Sequence, residues 1–163
     1  MYSKQHGEIY QLFTGGLRFI DSLNFLQASL DSLVKNTPHE KFKYTLKLGK
    51  NKLQKMLILK KGVYPYKHMD GWNRFSETKL PDQENFHSAL NDQHIADEEY
   101  EHALKVWTVF ECKHLGDYHD LCLKTDASLL ADVFENFRSI CLEKYGLDPA
   151  HYFTSPGYHG MRC

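Results

Sequence analysis

With 163 residues, 42% of them apolar and 25% charged, the chain is long enough for one domain with a real core and has an ordinary globular composition. No run approaches eighteen consecutive apolar residues, which excludes a membrane-spanning helix on pattern. The formal net charge of −1 lacks the basic excess of a free-standing nucleic-acid binder.

Residues 8–22, EIYQLFTGGLRFIDS, read as two short strands joined at Thr14-Gly15-Gly16, because a Gly-Gly pair between strand formers is a hairpin signal. Gln27 to Asn36 reads as a helix ended by Pro38. Asp21, just before it, suits turn or cap chemistry. Residues 39–62 form a lysine-rich run, either a solvated face or a contact for a phosphate backbone. Within it Leu53, Met56, Leu57 and Leu59 point to a short helix or buried segment ending at Gly62. Gly71 to Asp92 alternates polar turns with short helical pieces. Asp97 to Glu111 is a predicted helix with Tyr100, Ala103, Leu104, Trp107 and Phe110 on one face. Asp97, Glu98 and Glu99 fill its first turn, at the positive end of the dipole.

The longest predicted helix runs from Asp117 to Tyr145, with Asp117 as N-cap and Gly146 as the C′ residue. Leu123, Ala127, Leu130, Phe134, Phe137 and Cys141 recur at spacings of four and three, so they are its expected buried face. Asp126 falls about 40° from the centre of that stripe at 100° per residue. A carboxylate there is paired, hydrogen-bonded or bound to a metal, because burial alone costs several kcal/mol. A helix-surface Asp beside a basic neighbour is the plain alternative. Cys112, His114, His119 and Cys122 have zinc-ligand chemistry, but their spacing matches no strong zinc-finger pattern. No signal-peptide core is seen in MYSKQHGEIY, so the expected setting is intracellular, nuclear or mitochondrial. The four cysteines, Cys112, Cys122, Cys141 and Cys163, then read as free thiols.

Several strings carry a resemblance. YHDLCLKTDASLLADVFENF, from Tyr118 to Phe137, resembles the third exonuclease motif of protein-primed family B DNA polymerases, of the Polinton (Maverick), viral and organellar kind. LRFIDSLNFLQASLDSLVKN, LKKGVYPYKHMDGW and DPAHYFTSPG are similar to further segments of the same family. The resemblance spans about residues 8–157. It implies that Asp126 is a catalytic residue and metal ligand for Mg²⁺. It implies that Lys61, in a Lys-x-x-hydrophobic motif completed by Tyr64, assists phosphodiester cleavage. Cys122 stands where the family has the Tyr that orients the attacking water. Tyr64 and Tyr66 are candidate DNA-binding residues through base stacking. Asp97-Glu98-Glu99 spells the family's first motif, Asp-x-Glu, but at a helix start rather than on an early strand.

The implied fold class is α/β, the C-terminal part of a ribonuclease H-like 3′–5′ exonuclease domain, predominantly helical with one small sheet. Residues 1–146 are assigned to that domain and 147–163 to the truncated start of a polymerase domain. The implied function is that of a fragment of a DNA-directed DNA polymerase, inactive in isolation because the polymerase motifs are not in the chain. The parent's partners are DNA, deoxynucleotides and a terminal-protein primer, with no membrane. The tail Tyr158–Cys163 departs from the family string and reads as a frameshift, an exon boundary or a truncated copy. A non-catalytic DNA- or protein-interaction domain derived from a transposon is the alternative, and an unexpressed relic is a third reading.

Overall fold

The fold follows from where its long helix starts and which of its faces is buried. A computed structural model describes residues 2–5, 8–14, 16–86 and 95–152. The described part is mainly helical, with four α-helices: α1 (Leu30–Lys35), α2 (Lys52–Leu57), α3 (Asp97–Val109) and α4 (Leu115–Tyr145). Three short strands, β1 (Tyr2–Gln5), β2 (Glu8–Thr14) and β3 (Leu17–Ile20), pair antiparallel in the order β1-β2-β3. Thr14 faces Leu17 across the β2–β3 turn, where Gly16 takes a positive φ of 80°. None of the described helices is long and apolar enough to cross a membrane. The chain divides into two units, one of Met1–Thr37 with Val133–Cys163 and one of Pro38–Asp132, so α4 contributes to both.

α4 begins two residues before Asp117, which is therefore its third residue rather than its N-cap. Its Oδ2 reaches back to accept from the backbone N–H groups of Lys113 and His114 at 2.9 and 3.0 Å. Those bonds hold the Asp117 carboxyl below its ordinary range. At the other end Gly146 adopts φ +69° and donates its N–H to Leu142 O at 2.9 Å, the left-handed termination expected of glycine.

The buried face of α4 differs from the predicted stripe in its first half. Leu123 is 61% exposed, and Ala127 and Leu130 are exposed too. The buried residues are Leu115, Tyr118, Cys122, Thr125, Leu129 and Asp132, also spaced by threes and fours but about one residue, or 100°, away. Cys122, Thr125 and Asp132 dilute this stripe, so an apolar count selects its neighbour. The two descriptions converge further along. Phe134 and Phe137 pack with Phe25 at ring-centroid distances of 5.9 and 6.3 Å, and Cys141 is buried.

Elsewhere the departures are local. α1 starts at Leu30, not Gln27, because the Ser29 hydroxyl caps it by accepting from Ser32 N–H. The next helix, α2, is capped in the same way by Asn51, but it buries Leu57 with the following Ile58 and leaves Leu53 and Met56 exposed. α3 ends at Val109 and buries Ala103 and Val106, with Leu104 exposed. Around Leu57, Phe86, Ala103, Val106, Leu115, Tyr118 and Cys122 one core cluster joins α2, α3 and α4. Trp107 of α3 meets Tyr118 of α4 at 6.0 Å between ring centroids. Asp21 caps the 3₁₀ turn Ser22–Asn24 through a 3.0 Å bond from Leu23 N–H. Asp148 caps the turn Pro149–His151 and forms a two-pronged ion pair with Arg138, which holds its carboxyl down at about 2. The tail from Tyr158 lies outside the described residues.

Candidate functional site

Residues 61–65 have no regular structure, and their main chain is held against α4 by hydrogen bonds. Gly62 N–H donates to Asp126 Oδ1 at 3.0 Å. Tyr118 Oη donates to Val63 O at 2.6 Å, which uses the one donor of that buried phenol. Tyr64 Oη lies 2.6 Å from His119 Nδ1, one of them donating. The approach at Gly62 is close because the residue has no side chain. A Cβ there would stand 3.1 Å from Cys122 Sγ and 3.6 Å from Asp126 Oδ1.

These contacts gather most of the candidate residues. Tyr64, Tyr66, His119, Cys122, Leu123 and Asp126 line a cleft of about 130 Å³. Tyr64 and Tyr66 meet edge to face, 4.9 Å between centroids, and Tyr66 is 70% exposed. Trp72 is outside the cleft, largely exposed, with Phe75 5.6 Å away. Lys61 is half-buried and makes no ion pair among the described residues, but its positive charge acts on Asp126. His119 and Tyr118 were not singled out as partners of the 61–66 segment. Their only advance signal is their place one helical turn before Cys122 and two before Asp126.

Asp126 is half-buried, and burial pushes its carboxyl above the ordinary range against the Gly62 bond and the Lys61 charge. Its Oδ2 has no hydrogen-bond partner among the described residues. The folded protein thus holds the Asp126 proton more tightly than the unfolded chain does. That contribution to stability is fully present below the unfolded pKa and is lost as pH rises through the folded one. Asp126→Asn keeps an oxygen for Gly62 and removes the charge. It is expected to melt above wild type at pH 7 and to lose the advantage below about pH 4. Scanning fluorimetry at the two pH values checks this, and a variant that melts lower at both would make Asp126 a structural carboxylate.

Cys122 is buried within the core cluster. Burial raises its thiol to about 12, so it is not a thiolate near neutral pH. Replacing it with Tyr forces a large ring between Gly62 and Tyr118, and such overpacking costs about 1–3 kcal/mol. Folding therefore resists Cys122→Tyr. The zinc arrangement is not assembled: among the described residues no group of three or more His, Cys, Asp or Glu is placed to hold a metal ion.

A second carboxylate on α4 escaped the sequence reading. Asp132 is 1% exposed and accepts from the N–H groups of Lys43, Tyr44 and Thr45 and from the Thr45 hydroxyl, at 2.8–3.1 Å. Its two oxygens are fully engaged within the fold, unlike those of Asp126. No family model matches the chain, and neither does any curated protein or solved structure.

Proposed function

We propose that this chain is part of the 3′–5′ exonuclease domain of a protein-primed family B DNA polymerase, with a ribonuclease H-like α/β fold in the complete domain. Asp126 is a metal ligand in this reading, and Lys61 stabilises charge on the scissile phosphate. The supporting observation is the bond from Gly62 N–H to Asp126 Oδ1, which spans 64 residues of sequence. Two strings chosen for the same chemistry, one around Lys61 and one around Asp126, meet at one cleft. Two of its other walls, Tyr64 and Tyr66, have the flat faces on which a terminal base stacks.

Mg²⁺ is the ion the family resemblance implies. Asp126 is the one carboxylate lining the cleft, with one oxygen already bonded to Gly62. An ion that keeps most of its own water is not held by a single carboxylate, so the described residues supply one ligand and not a whole site. The other ligands belong, in this proposal, to the Asp-x-Glu and second motifs of a complete domain. Buried Cys122 in place of the water-orienting Tyr favours the second reading, a non-catalytic interaction domain of transposon origin.

Joining the chain to the upstream exonuclease segment of a protein-primed polymerase tests both. The chimera is expected to degrade single-stranded DNA from the 3′ end, slowly because Cys122 cannot place the water. Asp126→Ala should abolish that activity. Lys61→Ala should lower turnover about tenfold or more, with the melting temperature unchanged. Degradation unaffected by Asp126→Ala would overturn the exonuclease assignment. A folded chimera that degrades nothing would select the non-catalytic reading.

A further inference from the structure

The cleft beside Asp126 combines three aromatic rings with one carboxylate. Tyr64 and Tyr66 are 4.9 Å apart between centroids, with their planes at 70°. His119 is 5.4 Å from Tyr64, at 60°. Rings set at such angles form a corner and not a stack, so one guest meets more than one of them. The corner is also held in place. Tyr64 Oη and His119 Nδ1 are 2.6 Å apart, and Phe75 packs on His119 at 4.8 Å between centroids.

Ring faces are electron-rich and attract a cation that has shed its water. Asp126 supplies a full negative charge when ionised. Its Oδ1 accepts from Gly62 N–H, and Oδ2 is an acceptor with no partner among the described residues. The charge of Lys61 acts on this carboxylate, but Lys61 is not one of the residues lining the cleft. Rings and carboxylate together suit an organic cation. The cleft holds about 130 Å³. A cavity of roughly 150 Å³ takes benzene, so the guest is a little smaller than that. A primary ammonium is compact and strongly hydrated, and gains little by leaving water. Methyl groups on the nitrogen weaken its hydration and pack on Tyr64, Tyr66 and Leu123. A quaternary nitrogen has no N–H left for Asp126, whereas a dimethylated one keeps a donor.

We propose that the cleft of Tyr64, Tyr66, His119 and Asp126 binds a dimethylammonium group, with its methyls on the rings and its N–H donated to Asp126 Oδ2. A dimethylated lysine side chain and a small dimethylamine share this chemistry. The inference goes beyond the exonuclease reading and does not rest on it, because it requires neither a metal nor Lys61. The test is an NMR titration of the full 163-residue chain in EDTA at neutral pH, followed at the Gly62 amide. Ethanolamine, dimethylaminoethanol and choline form a methylation series, and isoamyl alcohol is the uncharged isostere of the second. Dimethylaminoethanol is expected to bind tightest, about fivefold or more above ethanolamine and choline and about tenfold or more above isoamyl alcohol. Acetyl-dimethyllysine methylamide is the second arm. Tighter binding than dimethylaminoethanol identifies a lysine side chain as the source, and weaker binding identifies a small amine.

Tyr66 is 70% exposed, so its variants fold. Tyr66→Leu keeps apolar bulk without a ring and should bind about tenfold weaker, while Tyr66→Phe should bind as wild type does. Asp126→Asn should weaken dimethylaminoethanol binding about tenfold and remove its advantage over choline. Its melting curve shows that it is folded. Isoamyl alcohol binding as tightly as the amine, choline binding as tightly in the wild type, or an unchanged Tyr66→Leu would overturn the proposal. So would the absence of any shift at Gly62 with all three amines. The chimera experiment reads DNA degradation, so either proposal fails without the other.

Discussion

Asp132→Ala is expected to destabilise the Pro38–Asp132 unit by at least about 3 kcal/mol, because it removes a charged acceptor shared by four donors. Hydrogen bonds to a charged group contribute about 1.5–3 kcal/mol each, and the donors left behind are partly or wholly buried. Thr45 is fully buried, so its N–H and hydroxyl have no water to turn to. Asp132→Asn separates charge from shape. The amide fills the same space but turns an NH₂ toward groups that are themselves donors. It is expected to lose most of what Ala loses. Urea unfolding followed by circular dichroism measures both. An Asn variant within 0.5 kcal/mol of wild type would mean that the 43–45 backbone is not held by this carboxylate.

Leu129→Ala should cost about 2–5 kcal/mol, the usual range for emptying a fully buried leucine site. Its neighbour Leu130 is 36% exposed, and Leu130→Ala should cost well under half as much. The pair is a direct test of the helix phase, since apolar periodicity selects Leu130 and the folded chain buries Leu129. Equal losses from the two substitutions, in the same unfolding experiment, would show that α4 buries a wider face than the six residues from Leu115 to Asp132.

The two carboxylates show why one site was partly legible and the other was not. Asp126 stood out because it sits among apolar residues and because the string around it resembles a known motif. Asp132, in the same string, gave no such signal. Its partners are mainly backbone N–H groups of residues 43–45, and main-chain donors leave no trace in a sequence. The same holds for the 61–66 segment. Lys61 and Tyr64 are singled out by resemblance, but the main chain between them is bonded to α4 by Asp126 at Gly62 and by Tyr118 at Val63, and the Tyr64 hydroxyl by His119. Cys122 was named at the family's Tyr position. Its burial against Gly62 could not be read, since a thiol is at home both in a core and at an edge.

The sequence by itself determined the elements that depend on neighbours in the chain. Gly146 ends α4 because glycine alone enters the left-handed region at little cost, and Asp97, Glu98 and Glu99 begin α3 because carboxylates favour a helix N-terminus. Asp21 at its turn belongs to the same class of local signals. Tertiary structure alone decided the rotation of α4, the inward turn of Cys122 and Asp132, and the meeting of Gly62 with Asp126. The physical reason is that a polar or small side chain is buried only where distant donors satisfy it or a distant glycine makes room. Those partners, at residues 43–45 and 62, are far away in sequence and adjacent only once the chain has folded.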